Sequence, residues 1–332
     1  KLADHGNKAI EIHVHSIVRR SPAAVDRFRL PPYHGAGGKR QEILRWTGRN
    51  RPLVRGQAVR LKADVKASRT APATTLFELI FHTAVHNVRK SHGNAVMGLL
   101  LALVQNVLMI VSFYVMFTIM GMRGMAIRGD YLLYLMSGIF MFMTHNKALG
   151  AVMKAEGPTS PMMKHAPMNT IVAIMGSALS ALYLQVFSAA IVLYFYHAII
   201  HPLTIDQPVQ TMGMLLLSWA TGVAIGMVFR AAAPWNPRFF SIVSGIYMRA
   251  NMITSGKMFV ANTMPTAILA FFDWNPLFHT IDQGRGYIFL NYNPRYSNLE
   301  YPIIVMLVCV MIGLMGEFYT KMHASASWGA GK

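Results

Sequence analysis

The stretch AVMGLLLALVQNVLMIVSFYVMFTIM, residues 95–120, holds no Asp, Glu, Lys or Arg, and no charge occurs anywhere between Lys90 and Arg123. A helix that crosses the hydrocarbon of a bilayer needs about 20 mostly apolar residues. This run satisfies that requirement, so the chain reads as a polytopic, all-α membrane protein. Working outward, a second span is expected over 131–152, with Asp130 just outside one end and Lys147 near the other, where its ammonium can snorkel. Charge-free runs bracketed by Lys164, Asp206 and Arg230 give a third span over 170–199 and a fourth over 211–229. The fifth, 239–260, is interrupted by Arg249 and Lys257, and the sixth, 301–319, has Glu300 and Glu317 near its ends.

Composition supports this reading. The 332 residues are 54% hydrophobic and 13% charged, against about 25% charged in ordinary soluble domains. The net charge of +18 is unevenly spread: residues 1–72 hold 16 Lys/Arg and 5 Asp/Glu, leaving 15 and 8 for the rest. So few charges cannot cover a soluble surface of that size. A disordered acidic chain is excluded, as is a disulfide scaffold, since Cys309 is the single cysteine. The chain divides into a basic extension, 1–73, and a membrane domain, 74–332.

Lys/Arg-rich short loops remain in the cytoplasm. The basic N-terminal segment, the 153–169 connection with Lys154 and Lys164, and the 230–238 connection with Arg230 and Arg238 therefore belong inside. The 200–210 loop has no Lys or Arg and belongs outside; only 121–130, with Arg123 and Arg128, runs against the rule. Six spans put both termini in the cytoplasm. The first long apolar run begins near residue 95, too late and too long for a secretory leader.

Residues 19–72 are rich in Arg, Gly and Pro and cannot supply a core; they read first as a solvated cytoplasmic tail, with binding to anionic lipid or another acidic partner as the alternative, and no aromatic-basic pattern points to nucleic acid. Thr75-Leu76-Phe77-Glu78 fits a capping box. After it, Leu76, Leu79, Ile80, Thr83, Ala84 and Val88 form an apolar stripe opposite Glu78, His82, His86 and Arg89, the pattern of an amphipathic helix at the membrane interface. His82 and His86 have metal-ligand spacing, yet no third ligand lies near them in sequence, so they read as part of a polar face.

The segment 263–300 is too broken for another span. Met264-Pro265 opens a short apolar piece, Thr266–Trp274, and Asn275-Pro276 opens a second, Leu277–Leu290. Proline suits the first turn of a helix, and pieces of this length are re-entrant more often than spanning. Two such half-helices suggest a lined passage, because irregular backbone at membrane depth survives only beside protein or a water-filled cavity; the alternative is an interfacial hairpin with no transport role. Arg249 and Lys257, eight residues apart and hence nearly on one helical face, would then favour an anionic cargo. Tyr114 and Tyr247 are candidate stacking residues along such a path.

This layout resembles the ABC transporter permeases of the ABC-2 type, and is most similar to the subunits that export capsular polysaccharide and O-antigen. Asn275-Pro276-Leu277 followed by Arg285-Gly286-Tyr287 carries the likeness, together with Glu78-Leu79 and the Lys154…Lys164…Pro167 loop. One departure is Arg230, which precedes Ala231-Ala232-Ala233-Pro234 where the family often has an Arg-Asp pair. The resemblance implies a homodimer of permease subunits in the bacterial inner membrane, docked on two ATP-binding cassette subunits. Glu78, Lys154, Glu156 and Lys164 would meet those partners, and Asn275, Pro276, Arg285 and Tyr287 would belong to the re-entrant segment. The chain has no Gly-x-x-x-x-Gly-Lys-Ser/Thr loop, so ATP-Mg is expected on the partner and no cofactor, metal or catalytic residue on this chain. The alternatives are another ABC-2 cargo (a lipid, a drug, a polyol phosphate polymer) or a membrane-embedded transferase built on Asp273, His279, Asp282 and Arg285.

Overall fold

The computed structural model describes residues 73–92, 94–121, 130–156 and 170–323, all within a unit that runs over Thr70–Lys332. The basic extension before Ala73, and Lys164, lie outside the described residues. The described chain is helical and without strands: α1 Ala73–His92, α2 Ala95–Ile119, α3 Tyr131–Met153, α4 Thr170–Ile199, α5 Pro208–Ala232, α6 Pro237–Thr254, a 3₁₀ turn Ala261–Thr263, α7 Thr266–Leu269, α8 Pro276–Ile288 and α9 Glu300–His323.

Four of these, α2, α4, α5 and α9, are long and apolar enough to cross a bilayer. Of the two other expected spans, α3 has 23 residues but carries the polar run Thr144-His145-Asn146-Lys147. Helix α6 has only 18 residues and includes Arg238 and Arg249. The polar run of α3 is explained by position. Fifteen of its residues are buried, and α5, α4, α8 and α2 surround it, so it meets protein rather than solvent on most sides.

Small residues set how closely the helices approach, the usual device where no hydrophobic effect drives helices together. Gly222 and Gly226, one turn apart on α5, face α3 so closely that a Cβ would lie 2.4 Å from the His145 carbonyl oxygen and 3.0 Å from that of Leu149. On α9, Gly313 and Gly316 play the same part against Met227 and Ala231 of α5. Helix α2 shows the opposite balance. Gly98, Ala102, Asn106, Ile110, Phe113 and Phe117 form a buried stripe, while Val96, Leu100, Val104, Leu108 and Val111 on its other side are exposed and equally apolar.

Helix α1 begins at Ala73 rather than after Thr75, so Thr75 falls inside the first turn instead of at the cap. Its apolar stripe exists but packs on protein: Ile80, Ala84 and Val88 are buried, Asn87 donates to Ser177 Oγ at 3.0 Å, and Thr83 sits against Gly176 of α4. Phe77 and Phe81, beside that stripe, are exposed. The polar face is as read, with Glu78, His82, His86 and Arg89 all exposed.

The helix expected over 239–260 stops early, at Thr254. Gly256 ends it with φ 72°, a conformation favourable only for glycine, and a Cβ there would also stand 2.7 Å from the Phe278 ring. Of the two half-helices expected over 263–300, the first shrinks to the single turn α7, preceded by Pro265. The second, α8, forms with Pro276 in its first turn and Asn275 as N-cap.

Candidate functional site

Helix α8 organises one end of the bundle. Ten of its thirteen residues are buried. At one end Ser218 of α5 donates to Thr280 Oγ1 at 3.0 Å, and at the other Gln207 N–H donates to the Tyr287 carbonyl at 2.9 Å. From Gln207 to Ser218 is eleven residues, roughly 16 Å along a helix. These two bonds set α8 along about the first half of α5.

The polar side chains of α8 that go into the interior are held by protein partners, although Arg285 Nε is left without one. Asn275 Oδ1 accepts from Leu277 N–H at 3.0 Å, and its amide donates to Asn251 Oδ1 and Thr254 Oγ1, both at 2.8 Å, which ties the start of α8 to the end of α6. The His279 ring accepts from Asn298 N–H on Nδ1, leaving Nε2 to donate to the Asp273 carbonyl at 2.8 Å. Asp282 accepts from the Tyr292 hydroxyl and from Ser297 Oγ at 2.7 Å. Burial pushes the Tyr292 phenol well above its ordinary pKa, with the Asp282 carboxylate adding to the effect, so it stays a donor at neutral pH.

Arg285 is the centre of this arrangement. It is 1% exposed, donates from Nη1 to the carbonyls of Gly256 and Phe259 at 2.9 and 2.7 Å, and from Nη2 to that of Lys257 at 2.7 Å. Its guanidinium carbon lies 4.1 Å from the Tyr134 ring centre, a cation–π contact. Gly138 provides the space, since a Cβ there would fall 2.9 Å from Nη2. One buried cation therefore holds the irregular turn after α6 against α3 and α8.

Lys257 and Arg249 do not share a helical face, because α6 ends between them. Lys257 is buried, its ammonium 3.7 Å from the Phe142 ring centre and donating to the Met252 carbonyl. Arg249 is exposed, on a helix of which only Ser244 and Asn251 are buried and which presents Phe239, Ile242, Ile246 and Ile253 outward. It has no acidic partner among the described residues. Tyr114 is exposed and stands 6.2 Å from the Tyr131 ring, whereas Tyr247 is half-buried, its hydroxyl 3.2 Å from His145 Nε2. Tyr287 is half-buried beside the cluster of Met141, Phe142 and Leu277. Of Asp273, His279, Asp282 and Arg285, the first two face each other, with Asp273 Oδ1 3.3 Å from His279 Nε2, whereas Asp282 and Arg285 are turned to other partners, as above.

At the other end of the bundle Glu78 is exposed and 3.7 Å from His82. Lys154 caps α3 and is exposed, and Glu156 is half-buried. The Glu156 carbonyl accepts from Arg230 Nη2 at 2.6 Å, and Arg230 Nη1 lies 3.3 Å from Glu317 Oε1, both side chains buried. This Arg230–Glu317 pair joins α5, α9 and the start of the α3–α4 connection, and sequence reasoning missed it. So it did the buried His145, held by Thr221 Oγ1 at 3.1 Å and Tyr247, and the interior set Asn106, Gln185 and Ser188 between α2 and α4. Polar residues inside otherwise apolar runs were the available signal. No family model matches the chain, and no curated protein matches it either.

Proposed function

We propose that the chain is the membrane-spanning subunit of an ATP-driven exporter that moves an acidic polysaccharide, of the capsule or O-antigen kind, across a bacterial inner membrane. In this reading α2, α3, α4, α5, α6 and α9 are six crossings, both termini are cytoplasmic, α1 lies along the cytoplasmic interface, and α7 and α8 fold back from the outer side. The observation that carries it is α8: a helix half the length of a crossing, set along the first half of α5, with Asn275, His279, Asp282 and Arg285 each held by protein. Such a segment is tolerated at membrane depth only as part of a protein-lined structure.

Two further features support the reading. Helix α6 is hardly packed on its own chain and carries the exposed Arg249. Arginine in a crossing helix costs at least about 2.5 kcal/mol unless it meets a cavity or a partner. A second copy packed on α6 would supply both, enclosing a path in which Arg249 attracts an anionic polymer. At the cytoplasmic end, Lys154 and Glu78 are exposed for two ATPase subunits, and the Arg230–Glu317 pair links the adjoining backbone at Glu156 to α5 and α9. Docking shifts the path between states only if it binds them differently, and this pair is a route by which it does.

The test is to purify the tagged chain from membranes of its source cells. An ATPase subunit with a phosphate-binding loop should co-purify, and acidic polysaccharide should stimulate its ATP hydrolysis while a neutral glucan does not. Recovery of the chain alone, or ATPase activity indifferent to polymer charge, would refute the proposal.

A further inference from the structure

A groove of about 1000 Å³ opens among α1, α2, α3 and α4, with Met248 of α6 at its edge and no residue of α8 in its lining. It exists because facing residues are small: Gly98 and Ala102 on α2, Gly150 and Ala151 on α3, Ala181 on α4. Along α3 it runs from Lys154 to Met143, eleven residues, or roughly 16 Å. Its wall is apolar at Leu101, Met143 and Leu184, and its rim is basic, with His82, His86, Lys147 and Lys154 against Glu156 as the one acid among the described lining residues. Lys147 and Lys154 are two turns apart on one face of α3. The Lys147 ammonium reaches Gln105 Oε1 across the groove, and Asn146 keeps its Oδ1 buried with no hydrogen-bond partner.

A largely apolar slot about half a bilayer deep, with the Lys147 and Lys154 ammonium groups at its mouth, is complementary to an amphiphile with an anionic head. We propose that the groove holds one acidic phospholipid per chain, its phosphate between Lys147 and Lys154 and one acyl chain along Leu101, Met143 and Leu184. Lipid seated there braces α1 and α2 against α3. The assignment requires only that the chain is embedded in a bilayer; it is independent of cargo, ATPase and second copy, so its failure and that of the exporter reading are separate events.

The experiment is native mass spectrometry of the full chain in detergent, titrated with dioleoyl-phosphatidylglycerol or dioleoyl-phosphatidylcholine. Gly150→Leu is the decisive variant, because Gly150 lines the groove and a Cβ there meets nothing within 4 Å, so the added side chain extends into the lipid's space. The wild-type chain should retain a single phosphatidylglycerol adduct in preference to phosphatidylcholine. Lys147→Gln should weaken it about fivefold, the share of one basic side chain near anionic lipid, and Gly150→Leu should abolish it. Equal retention of the two lipids, or a wild-type adduct on Gly150→Leu, overturns the assignment. Should Gly150→Leu not fold, an adduct on Lys147→Gln as strong as on the wild type overturns it equally.

Discussion

The Arg230–Glu317 pair gives the sharpest energetic test of how this end of α5 and α9 is held. Both side chains are buried, the closest nitrogen–oxygen distance is 3.3 Å, and the guanidinium also donates to the Glu156 carbonyl at 2.6 Å. Glu317→Leu leaves the cation buried with the Glu156 carbonyl as its one neutral partner, and Arg230→Met leaves a buried carboxylate with none of its compensating charge. Removing one member of a buried pair costs about 3–5 kcal/mol, whereas replacing both with apolar side chains of similar volume is often neutral or stabilising. Each single variant should therefore lose about 3 kcal/mol or more, and Arg230→Met with Glu317→Leu should recover at least about 2 kcal/mol of it, a non-additivity expected only of groups in contact. Unfolding of the purified chain in mixed micelles by SDS titration, followed by tryptophan fluorescence, measures all the corners of the cycle. Singles costing under about 1 kcal/mol, or a double variant equal to the sum of the singles, would refute the reasoning.

Gly222→Leu should destabilise the same preparation by at least about 1–3 kcal/mol, the usual cost of overpacking, because its Cβ would fall 2.4 Å from the His145 carbonyl; a wild-type transition would contradict the α3–α5 packing. Tyr292 has a raised pKa in the folded chain, so its stabilising contribution is complete below the unfolded phenol value of about 10 and is lost as pH rises through the folded one. Tyr292→Phe should flatten the stability profile at alkaline pH and leave an unchanged profile only if the hydroxyl is not buried on Asp282. Arg249→Ala should lower export of an acidic polymer without altering the melting temperature, while Lys257→Met should lower the melting temperature; the reverse pattern would exchange their roles.

What the sequence makes legible follows what is local. Helices α2, α4, α5 and α9 can be read directly because each holds a long apolar run with few or no charges inside it. Helix α3 was also located, although its polar run makes sense only once its burial is known. The end of α6 was misplaced by six residues, since apolar composition continues past Gly256 and only the backbone conformation there breaks the helix. The piece at 266–274 has the composition of a half-helix but closes a single turn. Asn275 and Pro276 marked the start of α8 correctly, because capping and proline geometry are local chemistry. The partners of Arg230, His145 and Arg285 lie far away in sequence, in elements whose packing no local pattern encodes.

The central claim, six crossings with a segment folded back from the outer side, is tested most directly by labelling with a membrane-impermeant maleimide. In a Cys309→Ser background, single cysteines would be placed at His201 and Asn293, and at Lys154 and Arg238, all exposed positions. The account predicts that His201→Cys and Asn293→Cys react in intact spheroplasts, and that Lys154→Cys and Arg238→Cys react only after the membrane is opened. Labelling of positions 201 and 293 from opposite sides, or of 238 from outside, would contradict it.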